Sequence, residues 1–267
     1  MLSESLRVAF RADDAVGTIL VGSALTLVTW LLLAGWAVAL AVSYPLAAVL
    51  TVVVALPSLV VRGYLLSVVE ASIGDAESVP SFVRWGSLAR TGWQSALISA
   101  VYALPGAVLC GLALGGIAAT VASPSGYEEA TRALAAVLVF ISGFGLLGFG
   151  LVYLYVRPAA RAVFAATGSL RAALDVRRAL RLASSADYLT GWLIAMGLLV
   201  IGPSLLFPAA FVIAIVGVFS PSLAVVMTLA TFLVGIGLLF VFRVSAAWAT
   251  GRGAVDGLGR LPTVTLP

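Results

Sequence analysis

The chain is 267 residues long, 62% hydrophobic and only 10% charged, with a mean hydropathy of +1.17 and a formal net charge of +4. Soluble domains carry about 25% charged residues, so this composition cannot cover a water-facing surface, and an integral membrane protein is expected. His and Lys are absent and Cys110 is the single cysteine, which excludes an intramolecular disulfide, His/Cys zinc sites, His-ligated haem and Ser-His or Cys-His nucleophile pairs.

Residues 1–14 carry Arg7, Arg11 and Asp13-Asp14 and read as a short amphipathic helix leading into an uncleaved span, not as a signal peptide. Charge-free runs follow at 15–61, 91–127, 133–156 and 188–242. A helix needs about 20 residues, at 1.5 Å each, to cross about 30 Å of hydrocarbon, so these runs hold two, one, one and two spans. Ser43-Tyr44-Pro45 and Ser220-Pro221-Ser222 supply the turns inside the double runs, because proline removes a backbone donor and disfavours helix in the residue before it. Six transmembrane helices are therefore expected, near residues 15–42, 46–65, 93–121, 133–156, 188–218 and 223–247. Pro57, Pro105, Pro203 and Pro208 fall inside them and predict kinks, each leaving a carbonyl for neighbouring helices, hydroxyls or water to satisfy. Gly143, Gly145, Gly148 and Gly150 in the fourth span, with Gly235 and Gly237 in the sixth, predict close helix packing.

The polar segments are short. Between the third and fourth spans, Ser123-Pro124-Ser125-Gly126-Tyr127-Glu128-Glu129 places acidic residues where a helix would begin. In the loop from Arg157 to Asp187, Ser169 is a candidate N-cap for a helix over 170–183, with Leu170, Ala173, Leu174, Leu180 and Ala183 on one face and Arg171, Asp175, Arg178 and Arg181 on the other. Such a helix should lie among the headgroups of anionic lipids on the cytoplasmic face. Fourteen of the fifteen arginines fall on one side of the predicted spans and only Arg132 on the other, so the positive-inside rule puts both termini in the cytoplasm.

A shift of 174 residues lays Leu6, Arg7, Ala9, Ala12, Asp13 and Gly17 over Leu180, Arg181, Ala183, Ala186, Asp187 and Gly191, and a fainter copy starts near Phe82. The chain reads as one polytopic membrane domain, 1–267, in which three tandem units of interfacial helix plus two spans occupy 1–80, 81–169 and 170–255, with a tail at 256–267.

The span centres hold no ionisable residue, and neither a phosphate-binding loop nor a dinucleotide fingerprint occurs. No catalytic residue, metal ligand or cofactor is expected. A membrane enzyme would have to use Glu70, Asp175 or Asp187 at the cytoplasmic face. Arg62, Arg157 and Arg243 each close a span and precede a small-residue helix; if they meet around a central axis they form a basic ring suited to an anion or a phosphate headgroup. Arg171, Arg177, Arg178 and Arg181 are the other candidate headgroup contacts, and no basic groove with aromatic residues points to nucleic acid.

Arg62-Gly63-Tyr64 with Gly74-Asp75, Val79-Pro80, Trp85-Gly86, Gly92 and Tyr102-Ala103-Leu104-Pro105 resembles the domain of unknown function 4013 family of multi-pass membrane proteins. Pro158-Ala159-Ala160, Ala172-Ala173-Leu174-Asp175, Arg177-Arg178 and Asp187-Tyr188-Leu189-Thr190-Gly191-Trp192 extend the likeness. The resemblance implies a prokaryotic cytoplasmic membrane, chiefly of halophilic archaea, and implies no activity. The leading expectation is a non-enzymatic scaffold or accessory subunit whose basic cytoplasmic helices contact lipid headgroups or a membrane protein partner. The alternative is a transporter or channel for a small molecule or lipid.

Overall fold

The computed structural model describes residues 2–11, 14–122 and 128–260. Asp13, the loop 123–127 and the tail beyond residue 260 lie outside the described residues. Helices account for all the regular structure there. A short α1 (Leu2–Val8) precedes α2 (Ala15–Val42), which spans the expected residues and is opened by Asp14, whose carboxylate accepts from the Gly17 amide at 3.0 Å.

The next elements are α3 (Tyr44–Ile73), α4 (Trp85–Ala122) and α5 (Glu128–Thr167), and the last is α10 (Pro221–Gly259). Each of these four runs 8 to 12 residues past its predicted span at the arginine-rich end. At 1.5 Å per residue, about 12–18 Å of helix stands beyond each predicted span. Pro57 and Pro105 sit inside unbroken helices. The fifth span is divided into α8 (Ala186–Ser204) and α9 (Phe207–Phe219), because Pro203 and Pro208 remove two donors in quick succession. Six helical segments are long and apolar enough to cross a membrane, as expected.

The single amphipathic helix expected over 170–183 is two helices, α6 (Leu170–Leu174) and α7 (Val176–Ala183). Ser169 caps the first as expected, accepting from the Ala172 amide at 3.4 Å. Asp175 breaks the run: it takes an extended conformation and caps α7 by accepting from the Arg177 amide at 3.0 Å. A side chain that can bond its own local backbone competes with helix continuation.

The tight core lies at the arginine-rich end and not between the spans. Only 6–17% of each span's most apolar window is buried, whereas Tyr64, Val68, Phe240 and Trp248 form one packed cluster and Val163, Leu182, Tyr188 and Leu258 another. The extended ends of α3, α5 and α10 thus combine with α1, α6 and α7 into a headpiece. Lipid tails are as apolar as leucine, so helices in the bilayer gain little from burying apolar faces against each other; outside it they do.

Two glycine pairs bring backbones together. A Cβ on Gly63 would stand 1.9 Å from the Leu88 carbonyl oxygen and one on Gly92 1.8 Å from that of Leu59, fixing α3 against α4. Gly191 and Gly253 do the same for α8 and α10, with a Cβ on Gly191 2.6 Å from the Ala249 oxygen. The glycines singled out from the sequence behave differently: Gly143, Gly148 and Gly150 have open space where a Cβ would go, Gly145 meets Leu109 at ordinary distance, and Gly235 is held against Leu206. The element α10 is central, packing on α2, α3, α5, α8 and α9.

Candidate anion-binding site

Arg157 and Arg161 are four residues apart on α5 and so project from one face, provided the helix survives Pro158 between them. Proline has no N–H to give the carbonyl four residues earlier, that of Leu154. The indole Nε1 of Trp192 on α8 supplies the missing donor at 2.9 Å. Beside it the Tyr188 hydroxyl donates to the Tyr155 carbonyl at 2.7 Å, and the Tyr155 hydroxyl donates in turn to the Ala183 carbonyl. Thus α5 continues unbroken through the proline and carries both arginines toward α3 and α10.

Arg157, Arg161 and Arg243 line one cavity of about 200 Å³, in company with Thr250 and apolar side chains of α3 and α8. Arg62 and Arg243 line a second cavity of about 170 Å³ that also receives Thr26, Thr29 and Ser58. Arg243 belongs to both. The charge of Arg161 is repelled by those of Arg157, Arg62 and Arg243, and Arg243 by those of Arg62 and Arg157. Four guanidinium groups therefore converge from three helices.

Among the described residues no carboxylate lies within ion-pair distance of these four. The Nε atoms of Arg157 and Arg161 are buried and have no hydrogen-bond partner, and the Arg157 guanidinium has only the Tyr153 ring, 5.4 Å from its centroid. The contrast with Arg252, further along α10, is sharp. That guanidinium bonds Glu4 of α1 at 3.2 Å and pairs with Asp75 as well. An ion held in a low dielectric without a partner costs several kcal/mol, and guanidinium stays charged at neutral pH. The cluster thus concentrates positive charge that no carboxylate among the described residues balances.

Its depth is set by the helices. From Tyr44 to Arg62 is 18 residues of α3, and from Pro221 to Arg243 is 22 residues of α10, or about 27 and 33 Å at 1.5 Å per residue. A hydrocarbon core is about 30 Å thick. Arg62 and Arg243 therefore stand about one hydrocarbon thickness from the far ends of their helices.

Of the three arginines anticipated as a ring, Arg157 and Arg243 share one cavity with Arg161, while Arg62 shares the second with Arg243. Arg161 is the residue that sequence reasoning missed, since Pro158 separates the span from the small-residue helix after it; its spacing of four from Arg157 is the signal. Arg171, Arg177 and Arg181 lie apart on the exposed face of α6 and α7, and Arg178 pairs with Asp175 at 3.2 Å. Glu70 is exposed on α3, Asp175 is a helix cap and Asp187 lies in the first turn of α8, so none of the three lines the arginine cavity.

No curated protein and no solved structure matches the chain. A family model described as a protein of unknown function, DUF4013, matches residues 46–218, a stretch that holds Arg62, Arg157 and Arg161. This multi-pass membrane chain belongs to that family.

Proposed function

We propose that the protein is a non-enzymatic scaffold or accessory subunit of the cytoplasmic membrane that captures a phosphate-type oxyanion in the arginine cluster, with both termini in the cytoplasm. The observation that carries this reading is the convergence of Arg62, Arg157, Arg161 and Arg243 with no carboxylate among the described residues beside them, two of them with buried Nε atoms that lack an acceptor there. Guanidinium presents a planar fork of donors that matches the oxygens of a phosphate or a phosphate ester. Arg171, Arg177 and Arg181, exposed on the headpiece, add about 1 kcal/mol each of attraction to an anionic leaflet or an acidic partner.

A transport reading draws on the break between α8 and α9, the kind of discontinuity that lines substrate paths. At the break the side chains of Leu205, Leu206 and Phe207 are apolar and the Ser204 hydroxyl is spent on the Ile201 carbonyl at 2.8 Å, so side chains there offer a substrate little. The capture reading is therefore the stronger.

Thermal unfolding in a mild non-ionic detergent tests it, with inorganic phosphate compared against chloride at equal ionic strength. A ligand that binds only the folded state adds about 2.7 kcal/mol at a hundred times its Kd. Phosphate is expected to raise Tm in the natural chain and to lose that effect in Arg161→Met. Equal melting in the two salts would sink the proposal. A cysteine placed at Ser184, with Cys110 replaced by Ala, tests the orientation: it should react with an impermeant thiol reagent only from the cytoplasmic side.

A further inference from the structure

Resting on the anion-binding reading, we infer that the occupant of the arginine cavity is a membrane lipid with a phosphomonoester headgroup, its phosphate on the arginines and its chain in the seam between α5 and α8. Three observations carry this. The first is depth: the lengths of α3 and α10 put Arg62 and Arg243 about one hydrocarbon thickness from the far helix ends, the depth of phospholipid phosphates, and Arg243 shares the cavity with Arg157 and Arg161.

The second is the lining. Apart from the arginines and Thr250, the cavity wall is apolar, with Leu65 and Val69 from α3, Met196 and Leu199 from α8 and Ala246 from α10. An inorganic anion can use the arginines but makes no use of such walls, whereas a glycerol backbone with its first methylenes gains further from burying them there.

The third is the way in. The α5 and α8 backbones do not pack against each other along their length; what joins them is the aromatic bridge of Tyr155, Tyr188 and Trp192, with Tyr155 and Trp192 edge to face at 5.0 Å. Leu154, which borders the cavity, is 47% exposed, and its neighbours along the seam, Leu151 and Val200, are each 70% exposed. The cavity rim at Leu154 thus lies on the exposed side of the spans, beside Leu151 of the same helix. Three guanidinium groups on this cavity, Arg157, Arg161 and Arg243, against one phosphate favour a headgroup with two negative charges over a diester with one.

The test compares three probes on the purified, delipidated full-length chain in detergent, by native mass spectrometry and thermal shift: phosphatidic acid, phosphatidylcholine and glycerol 3-phosphate, which has the same headgroup without chains. Phosphatidic acid is expected to bind as a single copy at least tenfold tighter than either of the others, and at least tenfold weaker in Arg161→Met. A phosphatidic acid with a photoreactive chain should then crosslink to Leu151, Leu154 or Leu199, and excess unlabelled lipid should remove the crosslink. If glycerol 3-phosphate protects as well as the lipid, the chain seam is wrong and the arginine site stands. If none of the three binds, the anion reading falls with it. If the lipid binds equally to Arg161→Met, or crosslinks are scattered over α2 and α9, the bound lipid is merely annular and the inference is overturned.

Discussion

Trp192 on α8 gives its indole N–H to the carbonyl of Leu154 on α5 at 2.9 Å, and that carbonyl is the one Pro158 leaves without an amide four residues on. One bond thus repairs a proline and ties the two helices that flank the arginine cavity. Removing the donor leaves a carbonyl unsatisfied, which costs about 1–3 kcal/mol. Trp192→Phe should destabilise by that amount in detergent unfolding, while Pro158→Ala returns the amide and should recover most of the loss in the double variant. Strict additivity of the two changes would show that the bond does not hold α5 together.

Helix approach at Gly92 sets a second expectation. A methyl group there would stand 1.8 Å from the Leu59 carbonyl, a backbone atom that cannot rotate away, so α3 and α4 must part. Gly92→Ala should cost about 1–3 kcal/mol or more. At Gly143 and Gly148 the space is open, and Ala should be neutral or stabilise by up to about 1 kcal/mol through helix propensity. Melting temperatures and monodisperse yield of the three variants check this ordering.

The spans are legible in the sequence because crossing about 30 Å of hydrocarbon demands a long charge-free run, and α2 coincides with its predicted residues. The headpiece is less so. Charges at Arg62, Arg157 and Arg243 read as the ends of spans, yet the helices pass through them, since α3, α5 and α10 continue as segments packed in the buried core of the headpiece. Pro158 hid the continuity of α5, and with it the shared face of Arg157 and Arg161, because the repair by Trp192 is a long-range contact that no local pattern reveals. In the same way Asp175 looked like one more charge on a polar face and is instead the cap that divides α6 from α7.

The amino-terminal helix is held by charge. Glu4 accepts from Arg252 at 3.2 Å and from the Trp248 indole at 3.3 Å, while Val8 is buried against the same end of α10. These groups are partly exposed, so the pair contributes about 1 kcal/mol. Glu4→Gln should raise hydrogen exchange at residues 2–9 several-fold and leave exchange in the spans unchanged. Unaltered exchange in α1 would mean that Val8 and Ser5 hold it without the ion pair.

The arginine cluster makes the most discriminating prediction, because its sign depends on the ligand. With no anion present, Arg161 faces three like charges and its Nε has no acceptor. Replacing a buried ion by an apolar side chain of similar volume is commonly stabilising by about 1–4 kcal/mol, so Arg161→Met should melt above the natural chain in phosphate-free, lipid-free detergent. Saturating phosphate or phosphatidic acid should close that gap or reverse it, since the natural chain gains binding free energy that the variant lacks. Arg252→Met supplies the opposite control: it strands Glu4 and Asp75 and should be destabilising in both conditions. A ligand-binding cluster and a structural one differ in this crossover. If Arg161→Met melts below the natural chain with and without anion, the guanidinium groups are part of the packing of the headpiece and not a site.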